Sequence, residues 1–505
     1  MVVSLTSLGG ALTVTGSKHL LEHDGMRILV DCGMFQGLRE LRDLNWRALP
    51  VPASSIDAVI LTHAHLDHSG YLPRLVRDGF KGPIYATPAT IDVARLILLD
   101  SAFLQEKDAD FANRHGFSRH EPALPLYTTR DAHAAIEAFR PVDFHQQQAH
   151  RGVSLLFRRA GHILGAATAE VHVGGITVVF SGDLGRYGDA MMPDPEPVPS
   201  ADYLVVESTY GNRVHETRDP AAVLLEVIER TVARGGTVVI PAFAIGRAQS
   251  LLHQIWTLRQ RGKLRHVPVY VDSPMATSAT DLLCVHKRDH RLEEGASRDV
   301  CESATYVRSV EESKRLTASR MPKVIISASG MMSGGRVLHH VKAFGPDPRS
   351  SILLAGYQAA GTRGRALAEG ARELKIHGRL VDIRAEVADV PALSAHADAN
   401  EILRWLSGFE RAPTNTFIVH GESEAAEGLE QRIMRQLGWQ CVIPSMNEHH
   451  LLPGGPAEAE GAQGQSCEAA HGSAKIEEAG LESFPASDPP AWTLGEEHTP
   501  CKDRK

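Results

Sequence analysis

The sequence predicts an α/β protein in which one sheet-and-loop part is interrupted by a second, parallel-sheet part. Three observations lead there. Short apolar runs end at metal-ligand or acidic residues, as in VILTHAHLDH at residues 59–68. From residue 220 to about 355, helical patterns alternate with apolar runs, the signature of a parallel sheet with helices on both faces. After Ala385 the first pattern returns, with an apolar run that ends at His420.

The elements follow in order. Residues 2–8, 12–15 and 27–31 read as strands, the last ending at Asp31. A carboxylate there could hydrogen-bond a ligating histidine or brace a loop, and it could equally open a turn. Strand 56–61 stops at Thr62, and His63, His65, Asp67 and His68 follow within six positions. His63 and His65 alternate, so in extended backbone both point one way; Asp67 and His68 come after a turn and can face elsewhere. Two ligand pairs with two directions suggest two metal ions. Imidazoles with one carboxylate suit zinc better than calcium or magnesium.

A helix is expected over 72–78, a strand at 84–86 and a long helix over 91–112. Residues 113–150 read as irregular, and His115, His120, His133, His145 and His150 lack ligand spacing, so they read as surface residues. Strand 153–158 leads to His162, and strands 168–173 and 176–180 lead to Ser181-Gly182-Asp183. An aspartate in that position can bridge two metals with its two oxygens. Residues 193–201 are proline-rich and read as a linker, and strand 203–206 then meets Glu207. The alternating part is read as helix 220–234, strand 237–240, helix 246–259, strand 267–271, helix 275–288, a less regular stretch, strand 324–326, helix 334–344 and strand 351–355. Ser394-Ala395-His396-Ala397-Asp398 opens helix 400–407, and strand 415–419 delivers His420. Ser329 and Gly330 follow a strand and can offer backbone N–H groups to an anion; Arg247, Arg336, Arg363 and Arg365 are candidate clamps on a phosphate backbone.

A chain of 505 residues can hold several cores. The six cysteines include no Cys-x-x-Cys pair, which favours reduced thiols in a cytoplasmic protein over a disulfide framework or a Cys-ligated zinc. No stretch is apolar enough to span a bilayer, and no basic segment with an apolar core opens the chain, so export and membrane partners are not expected. The net charge is −8, and residues 456–505 hold ten acidic and four basic side chains. The remaining body is then only slightly acidic, and a polyanion would depend on local cations. The tail is rich in Ala, Glu, Gly, Ser and Pro and reads as disordered.

Taken together, Asp31, the His63–His68 cluster, His162, Asp183 and His420 resemble the metallo-β-lactamase superfamily. The α/β insertion, with Glu207 before it and His396 after it, resembles the β-CASP branch, which processes nucleic acids. The likeness is nearest to bacterial relatives of the endonuclease of mRNA 3′-end processing. It covers roughly residues 1–450 and implies a metallo-β-lactamase αββα sandwich interrupted by a parallel-sheet α/β domain. The implied parts are 1–205 and 391–455 for the metallo-β-lactamase domain, 206–390 for the β-CASP domain and 456–505 for the acidic tail.

The resemblance implies two zinc ions per chain: His63, His65, His162 and Asp183 around one, Asp67, His68, Asp183 and His420 around the other. Glu207, His396 and His420 match the family's three β-CASP motifs, and histidine at the third favours RNA over DNA. His396, Glu207, Asp67 and Asp31 take catalytic roles; Ser329, Gly330, Arg336, Arg247 and Ser394 would contact substrate. Two zincs about 3.5–4 Å apart would share a hydroxide and clamp the scissile phosphate. His396 beside Glu207 would protonate the leaving 3′-oxygen. The expected activity is hydrolysis of single-stranded RNA, mainly endonucleolytic with 5′-exonuclease activity beside it, and a homodimer is left open. A glyoxalase II-like thioesterase and a non-catalytic RNA scaffold are the competing readings; the insertion argues against the first, the complete ligand set against the second.

Overall fold

The run that feeds the ligand cluster forms strand Ala58–Ile60, with all three residues buried. A computed structural model describes residues 2–454 except 117–120, 217, 294 and 391–392. His120 and the tail from Pro456 lie outside the described residues. By its contacts the chain divides into two units, one of Met1–Glu216, Val285–Leu292 and the chain from Ser394, the other of Thr217–Cys284 and Glu293–Leu393.

The first unit contains two seven-stranded sheets. In the first, His449–Leu452, Val3–Gly9, Lys18–His23, Met26–Val30, Ala58–Ile60, Ile84–Ala86 and Phe139–Pro141 lie side by side. In the second the order is Cys441–Val442, Asn415–Val419, Tyr203–Glu207, Ile176–Phe180, Ala167–Val173, Val153–Arg159 and Gln148–His150. Val30, Ile60, Phe157, Val171, Phe180 and Val205 join residues of both sheets in one core. Leu204, Val206 and Ile418 point to the opposite side and pack with Trp405 and Leu406 of helix Ala399–Leu406 and Leu429 of helix Ser423–Leu437. The central strands are therefore apolar on both faces, which is why they read as continuous runs rather than alternating ones.

This layout gathers the chemistry at strand ends. Met26–Val30 and Ala58–Ile60 are parallel, so Asp31 and the His63–His68 loop leave one edge of the first sheet. Ile176–Phe180, Tyr203–Glu207 and Asn415–Val419 are also parallel, with Phe180 opposite Val205 and Glu207 opposite Val419. Asp183, Glu207 and His420 therefore leave one edge of the second sheet. Carboxyl ends of parallel strands are where α/β folds place their sites.

The second unit has a six-stranded sheet in the order Thr305–Tyr306, Val269–Asp272, Lys323–Ser327, Thr237–Pro241, Ser351–Leu354 and Glu386–Asp389, and every pairing in it is parallel. The alternating pattern is thus a parallel sheet, and Glu373–Ile376 and Arg379–Asp382 form a separate two-stranded hairpin.

Several expectations need correction. Residues 12–15 are bends, and the strand is Lys18–His23. Lys18 and His19 at the start of that strand are both buried. The stretch 113–150 is not irregular throughout: helix Pro88–His115 runs into it, and helix Thr129–Glu137 follows with a capping box in which Thr128 and Asp131 satisfy each other's backbone N–H. His150 is half-buried rather than a plain surface residue, with Nδ1 at 3.1 Å from the Tyr85 hydroxyl. The helix expected from 334 starts at Val337.

Candidate metal centre

The loop after strand Ala58–Ile60 is held tightly. Asp31, at φ +59, accepts at Oδ1 from the Thr62 backbone N–H (2.8 Å) and lies with Oδ2 2.7 Å from His68 Nδ1. Both readings of Asp31 as a brace are therefore realised in one carboxylate. Gly33 supports the same loop: a Cβ there would meet the Asp67 carbonyl oxygen at 1.6 Å, so only glycine lets the two segments approach. His420 also sits in the left-handed region, at φ +51. Non-glycine residues there are strained, and such strain concentrates at functional sites.

Four donors converge in one group. His65 Nδ1 lies 3.2 Å from both His63 Nε2 and His162 Nε2, and Asp183 Oδ2 lies 3.4 Å from His63 Nε2 and 3.6 Å from His162 Nε2. A second group places His68 Nε2 3.2 Å from His420 Nε2 and 3.2 Å from Asp183 Oδ1, with Asp67 Oδ2 3.7 Å from His420 Nε2. A tetrahedral zinc with bonds of about 2.0–2.1 Å sets its ligand atoms about 3.4 Å apart. The observed edges bracket that figure. Asp183 turns one oxygen to each group.

The electrostatics of the first group suit cation binding, whereas in the second Asp183 and Asp31 outweigh burial and raise the His68 pKa well above its ordinary value. Burial, with neighbouring imidazoles, lowers the pKa of His63, His65 and His162, that of His65 to about 3. These three are thus held neutral, as metal ligation requires. Burial opposes the Asp183 carboxylate, but the surrounding histidines outweigh it and hold its pKa well below the usual range. The residues present therefore fit zinc.

A third group adjoins these two. His396 Nδ1 lies 3.2 and 3.4 Å from the two Glu207 oxygens and 3.9 Å from Asp183 Oδ2. Glu207 is fixed by the Leu184 N–H (2.6 Å) and the Thr209 hydroxyl (2.5 Å). Burial would lower the His396 pKa, but Glu207 and Asp183 outweigh it and raise it above the ordinary value.

Two supporting residues were not singled out in the sequence. Thr209 Oγ1 lies 3.0 Å from His420 Nδ1 while it donates to Glu207, so it ties the strand ends that carry Glu207 and His420 together. His215 Nε2 lies 3.0 Å from the His396 carbonyl, and the His215 N–H donates to Asp398 (2.7 Å), so the His396 loop is pinned on both sides. The only local signal is their place just after Glu207. Ser394 is adjacent too, accepting the His396 N–H at 3.4 Å.

The expected phosphate contacts are placed differently. Ser329, Gly330, Arg247 and Arg336 belong to the α/β unit. Ser329 Oγ accepts from the Ser333 N–H, and the Gly330 carbonyl accepts from Gln358. Arg247 opens helix Arg247–Gln260 and is buried. Arg336 is 2% exposed and donates to Asp272 at 2.7 Å, with His340 and Ser313 on the other Asp272 oxygen at 2.7 and 2.6 Å. That buried network commits its guanidinium inward and removes Arg336 from the set of phosphate clamps. Arg363 donates to the Lys375 carbonyl, and Arg365 pairs with Glu369 at 2.6 Å.

Three family models match the chain: the metallo-beta-lactamase superfamily over residues 16–224, the Beta-Casp domain over 248–367, and a Zn-dependent metallo-hydrolase RNA specificity domain over 380–444. Among curated relatives, ribonuclease TTHA0252 of Thermus thermophilus is 36% identical over 428 residues, 83% of this chain and 93% of that protein. Transcription termination factor FttA of Methanosarcina mazei is 33% identical over 456 residues, covering 86% and 69%, and its namesake in Pyrococcus abyssi is 32% identical over 472 residues, covering 88% and 70%.

Proposed function

This chain belongs to the β-CASP family of metallo-β-lactamase-fold ribonucleases, and from that premise we propose that it is a two-zinc hydrolase of single-stranded RNA, chiefly endonucleolytic with 5′-exonuclease activity. The observation that carries the reading is Asp183, whose two oxygens each face a separate set of histidines, with the His396–Glu207 pair beside them and outside both sets. In this reading the metallo-β-lactamase domain comprises residues 1–205 and 391–455, and 206–390 form the β-CASP insertion.

The chain's own residues take these roles. His63, His65, His162 and Asp183 hold one zinc; Asp67, His68, His420 and Asp183 hold the other. Zinc there supplies a nucleophile at neutral pH and opposes the charge of the scissile phosphate. Asp31 orients the His68 ring by its bond to Nδ1. Glu207 engages His396 Nδ1, so the transferable proton sits on His396 Nε2. From there it passes to the departing 3′-oxygen, leaving a 3′-hydroxyl on one product and a 5′-phosphate on the other. Water attacks, so the RNA 2′-hydroxyl takes no part in bond breaking. No described helix is long and apolar enough to cross a membrane.

The test is metal titration. Protein stripped with chelator should be inactive on a labelled RNA and should regain cleavage as zinc is restored, reaching a plateau near two equivalents per chain. Full activity in the stripped protein would reject the reading.

A further inference from the structure

A short flap beside the metal loop turns most of its side chains outward. Helix Arg39–Leu44 buries none of its residues. The flap is anchored by Asn45 alone among its side chains: Asn45 is 5% exposed and bonds both the N–H and the carbonyl of Phe35, at 2.9 and 2.8 Å. The anchor is tied to the catalytic loop, because the Met34 N–H donates to the Leu66 carbonyl and the Tyr71 N–H to the Cys32 carbonyl, each at 2.8 Å. Tyr71 also donates to the Arg47 carbonyl.

What this flap displays is unusual for a surface. Trp46 is 52% exposed and Leu38 43% exposed. Arg39 is matched by Asp43 at 3.8 Å, and the same carboxylate acts on Arg42. Arg42 Nε is buried and lacks an acceptor. Beside this exposed indole, residues 38–47 set Arg39, Arg42 and Arg47 against Glu40 and Asp43, a small local excess of positive charge on a chain of net charge −8. An indole offers its face to an unpaired base, and guanidinium groups take the flanking phosphates. A duplex cannot use the first of these, since its bases are already stacked.

We propose that residues 38–47 form a stacking platform for single-stranded RNA next to the metal loop, with a base on Trp46 and a phosphate at Arg47. This rests on the reading of the site as an RNA hydrolase, and it deepens that reading by naming where the strand is gripped.

The experiment uses the full, zinc-loaded chain and a 12-nucleotide (about one platform and its flanks) uridine-rich RNA, with kcat and KM measured separately. Trp46→Ala should raise KM on the order of 10-fold with kcat within about twofold, because base–aromatic stacking acts on binding. Trp46→Phe should restore most of the loss. Arg47→Gln should flatten the slope of log KM against log salt by about 0.7, the share of one phosphate contact on a single strand. An unaltered KM in Trp46→Ala would overturn the platform. So would a parallel fall in hydrolysis of bis(4-nitrophenyl) phosphate, which is too small to span the platform and would report collapse of the metal loop. A shift in sedimentation on replacing Trp46 would likewise overturn it, by marking a face between copies of the chain. A parent chain that cleaves no RNA defeats the functional reading and the platform together; a parent that cleaves normally while Trp46→Ala matches it defeats the platform alone.

Discussion

Replacing Glu207 by glutamine separates a proton donor from a packing residue at His396. The glutamine keeps the shape and can still accept the Leu184 N–H, now 2.6 Å from Oε1. It removes the negative charge that lies 3.2 Å from His396 Nδ1. An opposite charge at that range favours the protonated imidazole. Glu207 is the leading cause that raises the His396 pKa against the opposing effect of burial, so the variant pKa should fall. The sign follows from the role. A general acid works when protonated, so its activity is present below the folded pKa and is lost as pH rises through it. The alkaline limb of the single-turnover rate should therefore move to lower pH in Glu207→Gln. His396→Ala should abolish that limb and cut the rate by about 10²–10⁴-fold, with zinc content and RNA affinity retained. The assay is single-turnover cleavage of a defined RNA across pH, repeated with a substrate whose 3′-bridging oxygen is sulfur. Sulfur departs with little need of a proton, so both variants should recover much of their rate on it. An unmoved alkaline limb in Glu207→Gln, or no recovery with sulfur, would refute the reasoning.

Three further outcomes follow. Asp183→Asn should lower zinc in both sites, whereas His420→Ala should mainly lower one; elemental analysis per chain checks this, and two retained zincs in the Asp183 variant would end its bridging role. Asp31→Ala leaves His68 Nδ1 without the partner now 2.7 Å away, so affinity for the second zinc should weaken by about 10–100-fold in a chelator competition. Gly33→Ala would place a methyl 1.6 Å from the Asp67 carbonyl, so the loop must move; the variant should lose stability by melting temperature and lose the second zinc before the first.

Much of the centre is legible in the sequence because its ligands are local. His63, His65, Asp67 and His68 sit in six consecutive positions, and strand-ending His162, Asp183 and His420 repeat the same arrangement. The parallel sheet of the second unit is visible for a similar reason, since buried parallel strands are apolar throughout. What escapes is set by long-range packing. Nothing near Lys18 announces that it is buried over the Phe35 and Tyr71 rings, with its pKa lowered by burial to about 8. Arg336 looks like a phosphate clamp until Asp272, 64 positions away, claims it. His215 and His396 are 181 positions apart, so their contact has no local trace. Helix Thr129–Glu137 is a different case: its capping box, Thr128 with Asp131, is written in the sequence, but a histidine- and proline-rich neighbourhood masks it.

The most direct test of the central claim is the chemistry of the cut ends. Zinc-replete protein should be incubated with end-labelled single-stranded RNA and with DNA of the same sequence, and the products mapped. The account predicts internal cleavage of RNA in preference to DNA, yielding 5′-phosphate and 3′-hydroxyl ends. Products bearing 2′,3′-cyclic phosphate, or no cleavage by protein that holds two zincs, would contradict it.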